Sequence, residues 1–417
     1  MEIFTLVFLT LLGIYLLISL YLNSVQKQAV LESFDKVPTQ FFDNINLENH
    51  QKAANYTIAK LRLSNIELIF SLIVMLGFTL GGGIELINSI FNDLLDNQLF
   101  LGASIIISIM IIGSIIDMPF VIYKTFVLEE KFGFNKIDKK TFIIDIVKNF
   151  IVSLLIGLPI LIAILYLMNS SGEFWWLYTW LVLSGFSLLM FWLYPSFIAP
   201  IFNKFKPLEN GELTLKINQL LKKTGFNSNG LFVMDGSKRS SHGNAYFSGF
   251  GKNKRIVFFD TLLDGLSDNE VLAVLAHELG HFKNKHILKH IITSFISMLI
   301  MLAILGYLIT QDWFFTSLGV STIATHNALL LFIFIVPIFT FFLTPISNIF
   351  SRKYEFEADY FAIKNTNGKD LISALVKMYR DNASTLTPSK LYSDFYDSHP
   401  PASIRIAYIN KNLTSEK

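Results

Sequence analysis

Seven long apolar stretches punctuate this chain, at roughly 3–22, 66–92, 99–123, 150–168, 174–197, 291–310 and 327–350, and each approaches or exceeds the ~20 apolar residues a helix needs to cross a bilayer. The pattern predicts a mainly α membrane protein with seven transmembrane helices. The first stretch reads as a retained span, because Met1-Glu2 offers no basic leader and no small-residue cleavage site follows Leu22. Two polar regions, about 203–290 and 351–417, are long enough to fold outside the bilayer. The chain thus divides into a five-span membrane region at 1–202, an extramembrane domain at 203–290, spans six and seven at 291–350, and a C-terminal segment at 351–417.

Within the first polar region the hydrophobic period changes. An amphipathic helix is predicted from Leu213 to Lys223, broken by Gly225 to Gly230. Leu231–Met234, Asn244–Phe247 and Arg255–Phe259 then read as short strands of a small β-sheet, separated by Gly and polar turns. Ser267-Asp268-Asn269-Glu270 is a capping box, so a helix starts near Asp268, with Val271, Leu272, Val274, Leu275, Leu279 and Phe282 as its apolar positions.

Charge orients the array. Lys27, Lys36, Lys52, Lys60 and Arg62 follow span one, and Lys124, Lys131, Lys136, Lys139, Lys140 and Lys148 follow span three. The alternate connections, 93–98, 169–173 and 311–326, hold no Lys or Arg. By the positive-inside rule the N-terminus is outside, and the 203–290 domain and C-terminus are cytoplasmic. The absence of cysteine removes disulfides, thiolate metal ligands, Cys-protease chemistry and lipidation of the chain itself. With a formal charge of +2 and no basic cluster interleaved with aromatics, nothing suggests nucleic acid as a partner.

The chemistry concentrates in His277-Glu278-Leu279-Gly280-His281. Two imidazoles four apart on a helix share a face and can hold one Zn²⁺, and the intervening Glu278 can take a proton from metal-bound water. A hydrolytic zinc site keeps three protein ligands and an open position. The metzincin spacing would put a third His at 287, which is Ile287, and Asn284 stands where that motif needs Gly. The better candidate is Glu355-Phe356-Glu357-Ala358-Asp359 beyond span seven. Glu355 and Asp359 share a helical face, whereas Glu357 lies about 200° around from Glu355. Asp359 then suits a role as acceptor for a ligating His N–H.

These blocks, with Ser240-Ser241-His242-Gly243-Asn244-Ala245-Tyr246-Phe247 and Ser398-His399-Pro400-Pro401, resemble the signatures of the type I CAAX prenyl endopeptidases, integral-membrane gluzincin zinc metalloproteases. Glu129–Lys136 and Tyr194–Lys204 match cytoplasmic loops of that family, so the resemblance spans nearly the whole chain. It implies His277, His281 and Glu355 as ligands of one Zn²⁺ per chain and Glu278 as general base and acid. It further implies Asn244 on an edge strand where an extended substrate adds by β-pairing, and His399 as donor to the oxyanion. The implied fold has its helices enclosing an intramembrane chamber, with the zinc at its cytoplasmic end. Glu67, Glu85 and Asp117, costly in lipid, should face water or each other. Two positions depart from the family pattern: Ser248-Gly249 follows the strand motif in place of a bulkier aromatic, and Lys285 precedes His286 where Gly is usual.

The implied activity is endopeptidase cleavage near the C-terminus of prenylated or membrane-associated peptide or protein substrates. Richness in Asn, Lys, Ile and Phe without Cys gives the chain a bacterial cast. It points to a bacterial inner membrane, or to the endoplasmic reticulum if the source is eukaryotic. In a bacterium, membrane-protein quality control of the kind performed by related heat-shock membrane proteases is the alternative. A catalytically dead channel or scaffold is a third reading, opposed by the complete ligand set.

Overall fold

The computed structural model describes residues 2–248 and 254–415. Seven of its helical segments are long and apolar enough to cross a membrane. α1 (Ile3–Glu32) packs on α2 (Leu47–Phe78); a short α3 (Gly83–Asn92) follows, and α4 (Gln98–Tyr123) runs on through a π-helical stretch to Glu129. α5 (Lys139–Ser170) and α6 (Trp175–Leu193) come next, α6 prolonged by a π-helical turn at Tyr194–Ile198 and by α7 (Ala199–Phe202). The extramembrane domain contributes β1 (Phe205–Pro207), α8 (Glu212–Thr224), β2 (Leu231–Met234), β3 (Ala245–Ser248), β4 (Arg255–Phe259), α9 (Asp260–Gly265) and α10 (Asp268–Lys283). α11 (His286–Leu308) re-enters the apolar layer, α12 (Asp312–Thr316) turns the chain, and α13 (Thr325–Thr340) continues after one tight turn as α14 (Thr344–Asn365). α15 (Gly368–Asp381), α16 (Lys390–Tyr396) and α17 (Ala402–Ser415) complete the fold.

The second span corrects the sequence reading. Apolar residues continue to 92, but the helix stops at Phe78 and had already begun at Leu47. The break is the Gly81-Gly82-Gly83 run: Gly82 takes φ +78°, and a Cβ on Gly81 or Gly83 would come within 2.7 or 2.9 Å of the Gly77 carbonyl oxygen. Only glycine combines that left-handed conformation with so close a backbone approach. Glu85 consequently lies in α3, outside any span. Its carboxylate accepts the Thr322 N–H at 2.6 Å and the Ser321 and Thr322 hydroxyls at 2.7 and 2.9 Å.

Packing density differs between the two ends of the helix array. The largest apolar cluster draws Phe8 and Leu12 from the start of α1, Met75 from the end of α2, Leu101 and Ile105 from the start of α4, Met168 from the end of α5, Leu305 from the end of α11, and Phe314 and Phe315 from α12. All lie at one end. The connections without Lys or Arg meet there too: Thr5 Oγ1 donates to the Ser317 carbonyl at 2.7 Å, and Asn88 joins His326 at 2.9 Å and Asn327 at 3.0 Å. Away from this end the array loosens, and only 6% of the apolar windows of α5 and α6 is buried against 33% for α4. Asp117, towards the end of α4, stays exposed, as a charge in a span does only where water or a partner reaches it.

At the open end sits the mixed sheet, in the order β1-β2-β4-β3, with β2 and β4 parallel and the other pairs antiparallel. β1 escapes the sequence pattern because three residues ending in Pro carry no readable alternation. β3 forms a free edge. Gly249 falls outside the described residues, so that departure from the family pattern has no structural account. The first turns of α5 are tied to this domain through Arg239, whose Nε and Nη2 reach the Asp145 carboxylate at 2.8 and 3.1 Å.

The predicted capping box is present at the start of α10. Glu270 accepts the Ser267 N–H at 2.7 Å, and it also accepts from Ser373 Oγ at 2.6 Å and Lys377 Nζ at 2.8 Å, linking α10 to α15. Burial opposes its charge, but these donors outweigh it and hold its pKa at about 2. Since the folded value lies below the unfolded one, the stabilisation is complete above pH ~4.5 and is lost as pH falls towards 2; its size is on the order of 2–3 kcal/mol. The thermal stability difference between wild type and Glu270→Gln, scanned in detergent, should therefore shrink across that window. A difference independent of pH would remove Glu270's charge from the account.

Candidate metal centre and active site

α10 and α14 cross almost in backbone contact. A Cβ at Gly280 would lie 2.8 Å from Ala358 Cα and 3.0 Å from its carbonyl oxygen, so the glycine of the HExxH segment sets how closely the two helices approach. That crossing brings His277 and His281, four apart on one helix, against Glu355 and Asp359, four apart on the other.

Nε2 of His277 and Nε2 of His281 stand 3.2 Å apart, and Glu355 oxygens lie 3.4 and 3.2 Å from them. These three residues form a cluster whose ligand atoms all fall within 4.8 Å of one another. The far side of each ring is spoken for. His277 Nδ1 donates to Asp359 Oδ1 at 2.8 Å. His286 Nε2 donates to Glu357 Oε2 at 2.9 Å, which leaves its Nδ1 to accept from His281 Nδ1 at 3.1 Å. Each ligand-side nitrogen therefore presents a lone pair. Two lone pairs facing each other beside a carboxylate repel unless a cation sits among them. Glu355 Oε2 is moreover buried and accepts no hydrogen bond from the described residues. The field calls for positive charge at this point: burial and Arg405 oppose a charge on His277, yet Asp359 and Glu355 outweigh them and raise its pKa to about 9, so without a metal the ring carries a proton that a bound cation would displace. The donor set fits a divalent ion of the zinc type.

Of the residues around this cluster, the sequence reading omits Arg405 and gives His286 no role. Arg405, on α17, is 6% exposed and donates through Nε and Nη2 to Asp359 at 2.8 and 2.5 Å, with Nη1 3.4 Å from Glu355. No spacing rule connects it to residues some fifty positions earlier; only its burial reveals it. His286 lies off the metzincin spacing and follows the break between α10 and α11, where Lys285 takes φ +57°. A lysine in that left-handed conformation costs about 1 kcal/mol or more relative to glycine, which explains why Gly suits the position.

Glu278 is half-buried and makes no hydrogen bond or ion pair to the described residues, so its carboxylate is free to exchange protons. His399 Nε2 comes within 3.3 Å of Glu355 Oε1, and its Nδ1 lies 3.0 Å from Ser398 Oγ. Its side chain is 64% exposed and faces a cavity of about 490 Å³. Asn244 is exposed at the start of the edge strand β3, where its side chain accepts the Ala245 N–H at 2.8 Å and its carbonyl accepts the Phe259 N–H at 2.9 Å. β3 packs on α10. Glu357, turned away from the cluster, reaches it only through His286.

A histidine pair and a carboxylate gathered on crossed helices, in a seven-span array with an open end, define a membrane metallopeptidase. Comparison with known proteins gives the family. Residues 26–204 match the CAAX prenyl protease N-terminal model of five membrane helices, and residues 207–413 match peptidase family M48. CAAX prenyl protease 1 homolog of Dictyostelium discoideum is 34% identical over 96% of this chain and 95% of its own length. CAAX prenyl protease 1 of Saccharomyces cerevisiae is 33% identical over 95% of this chain and 92% of its own. The crystal structure of S. mikatae Ste24p superposes with a TM-score of 0.91 at 31% identity, covering 98% of this chain and 99% of that one. The chain belongs to peptidase family M48, in its CAAX prenyl protease group, and is a membrane metalloendopeptidase.

Proposed function

We propose that this chain is a zinc endopeptidase that removes the last three residues from prenylated Cys-a-a-X peptides at a membrane surface. The observation that carries the reading is the His277–His281–Glu355 cluster inside a fold that is alike from end to end to proteins named CAAX prenyl protease 1. The test offers purified protein a farnesylated Cys-a-a-X peptide beside an unprenylated membrane-protein fragment. Release of the tripeptide supports the proposal; cleavage of the second alone assigns the chain to membrane-protein quality control. Turnover of neither, with ion flux in proteoliposomes, would mark a scaffold or channel. The charge asymmetry of the connections supports a cytoplasmic active end. A reporter fused after Lys417 that reads outside would reverse that orientation.

In this reading His277, His281 and Glu355 hold the ion. A metal held there would supply Lewis acidity, lowering the pKa of a water molecule and polarising the scissile carbonyl. Glu278 takes the proton from the attacking water and passes it to the leaving amine, which its unpaired carboxylate allows. Asp359 and His286 fix the tautomers of the two ligating rings. Asn244 aligns the substrate backbone along β3, and His399 donates to the oxyanion.

Elemental analysis should find one zinc per chain. Glu355→Ala should lose it. Sequence geometry alone makes Glu357 indifferent, but its bond to His286 gives Glu357→Ala an expected loss of about tenfold in zinc affinity. Equal loss in both variants would dissolve the distinction between them. His399→Ala should depress kcat by roughly 10²- to 10³-fold with the metal retained, and Asn244→Ala should raise KM as well as lower kcat. Wild-type kinetics in both would leave them structural.

A further inference from the structure

The cavity beside His399 is lined by polar groups with a single ammonium among them. It lies between α1, α2 and the segment from Tyr379 to Pro401, and Lys60 of α2 is the one Lys or Arg among its lining residues. Lys60 is exposed into this space, its Nζ 4.1 Å over the Tyr56 ring, and it makes no ion pair among the described residues. Desolvation disfavours its charge, which Glu129 supports and Lys124 opposes. Glu129 itself is engaged elsewhere, accepting from Tyr56 OH at 2.6 Å and facing His242 Nε2 at 3.6 Å. An ammonium at a cavity wall, with an aromatic face against it and no carboxylate within ion-pair reach among the described residues, suits an anionic ligand. The remaining lining suits the same ligand: Thr57, Ser384 and Thr385 offer hydroxyls, and burial pushes the Tyr392 phenol up to about 12, so that it stays a neutral donor. Asp397 is the single carboxylate in the lining; burial raises it above the usual carboxylate range, and Ser393 hydrogen-bonds it.

The anion that must pass here, if the substrate reading above holds, is the free C-terminal carboxylate of the peptide. It follows the scissile bond by three residues, an extended reach of roughly 10 Å. His399 belongs both to the metal cluster and to this cavity, so a chain leaving the cluster past His399 enters the cavity that holds Lys60. We propose that Lys60 and the hydroxyls around it bind the substrate's terminal carboxylate, and that this anchor sets the cleavage point at a fixed distance from the C-terminus. The site is a ruler: the metal end fixes where the bond is cut, and the lysine end fixes what is counted from.

The test uses the full chain in detergent with two peptides, farnesylated and unprenylated, each as the free acid and as the C-terminal amide. Wild type should favour acid over amide by roughly tenfold or more in kcat/KM, the scale of one charge-assisted hydrogen bond. Lys60→Met should lower cleavage of the acid to that of the amide and leave the amide unchanged, whereas Lys60→Arg should keep the preference. Equal cleavage of acid and amide by wild type, or an equal loss on both in Lys60→Met, overturns the anchor. The substrate reading fails separately, if only the unprenylated peptides are cut; the acid-to-amide ratio on those peptides then decides the anchor on its own.

Discussion

Glu278→Gln is expected to keep its metal and its fold while kcat falls by about 10²- to 10⁴-fold, the span that a positioned general base contributes. The amide matches the carboxylate in shape and cannot accept the water's proton. Glu278 points no hydrogen bond or ion pair at the described residues, so the substitution breaks nothing that supports the helix. His277, His281 and Glu355 are untouched, and elemental analysis should read the same zinc content as wild type. KM should move little, because the lost interaction belongs to the transition state. His277→Ala supplies the contrast, losing metal and activity together. A Glu278→Gln enzyme with wild-type turnover would put the base elsewhere and leave this carboxylate without a role.

The contrast between these variants follows from what is local in the sequence. A pair of ligands four apart is written in one helical turn, and the phase of Glu355 and Asp359 against Glu357 needs nothing beyond 3.6 residues per turn. The capping box and strands β2, β3 and β4 were legible for the same reason, as short-range patterns with a known period. Span two was misplaced because hydropathy measures apolar content and is blind to where a helix stops; the turn at Gly81-Gly82-Gly83 is a steric requirement buried in an apolar run. β1 carries too few residues to show a period. His286 joins the site only because Lys285 reverses the backbone between α10 and α11. Arg405 is the extreme case, an ordinary cation on an ordinary C-terminal helix until tertiary packing sets it against Asp359.

Arg405→Leu should cost about 3–5 kcal/mol of stability, because it leaves Asp359, fully buried, and Glu355, 4% exposed, without their cation. The guanidinium is held in its charged form: burial opposes it, but Asp359 prevails and raises its pKa. The loss should be larger after chelation than with zinc present, since a bound ion supplies positive charge to the same carboxylates and stabilises the fold that binds it. Thermal melts of both variants in detergent, with and without chelator, read this directly. The double variant Arg405→Leu/Asp359→Leu separates charge from position. Replacing a buried ion pair by apolar residues is often nearly neutral, so much of the stability should return. Zinc affinity should not, because His277 Nδ1 then has no acceptor and the ring loses the bond that turns its lone pair towards the metal. Stability and zinc affinity recovering together in the double variant would show that Asp359 balances Arg405 and does nothing for His277. An Arg405→Leu protein as stable as wild type would mean that the pair contributes no net stabilisation in this setting.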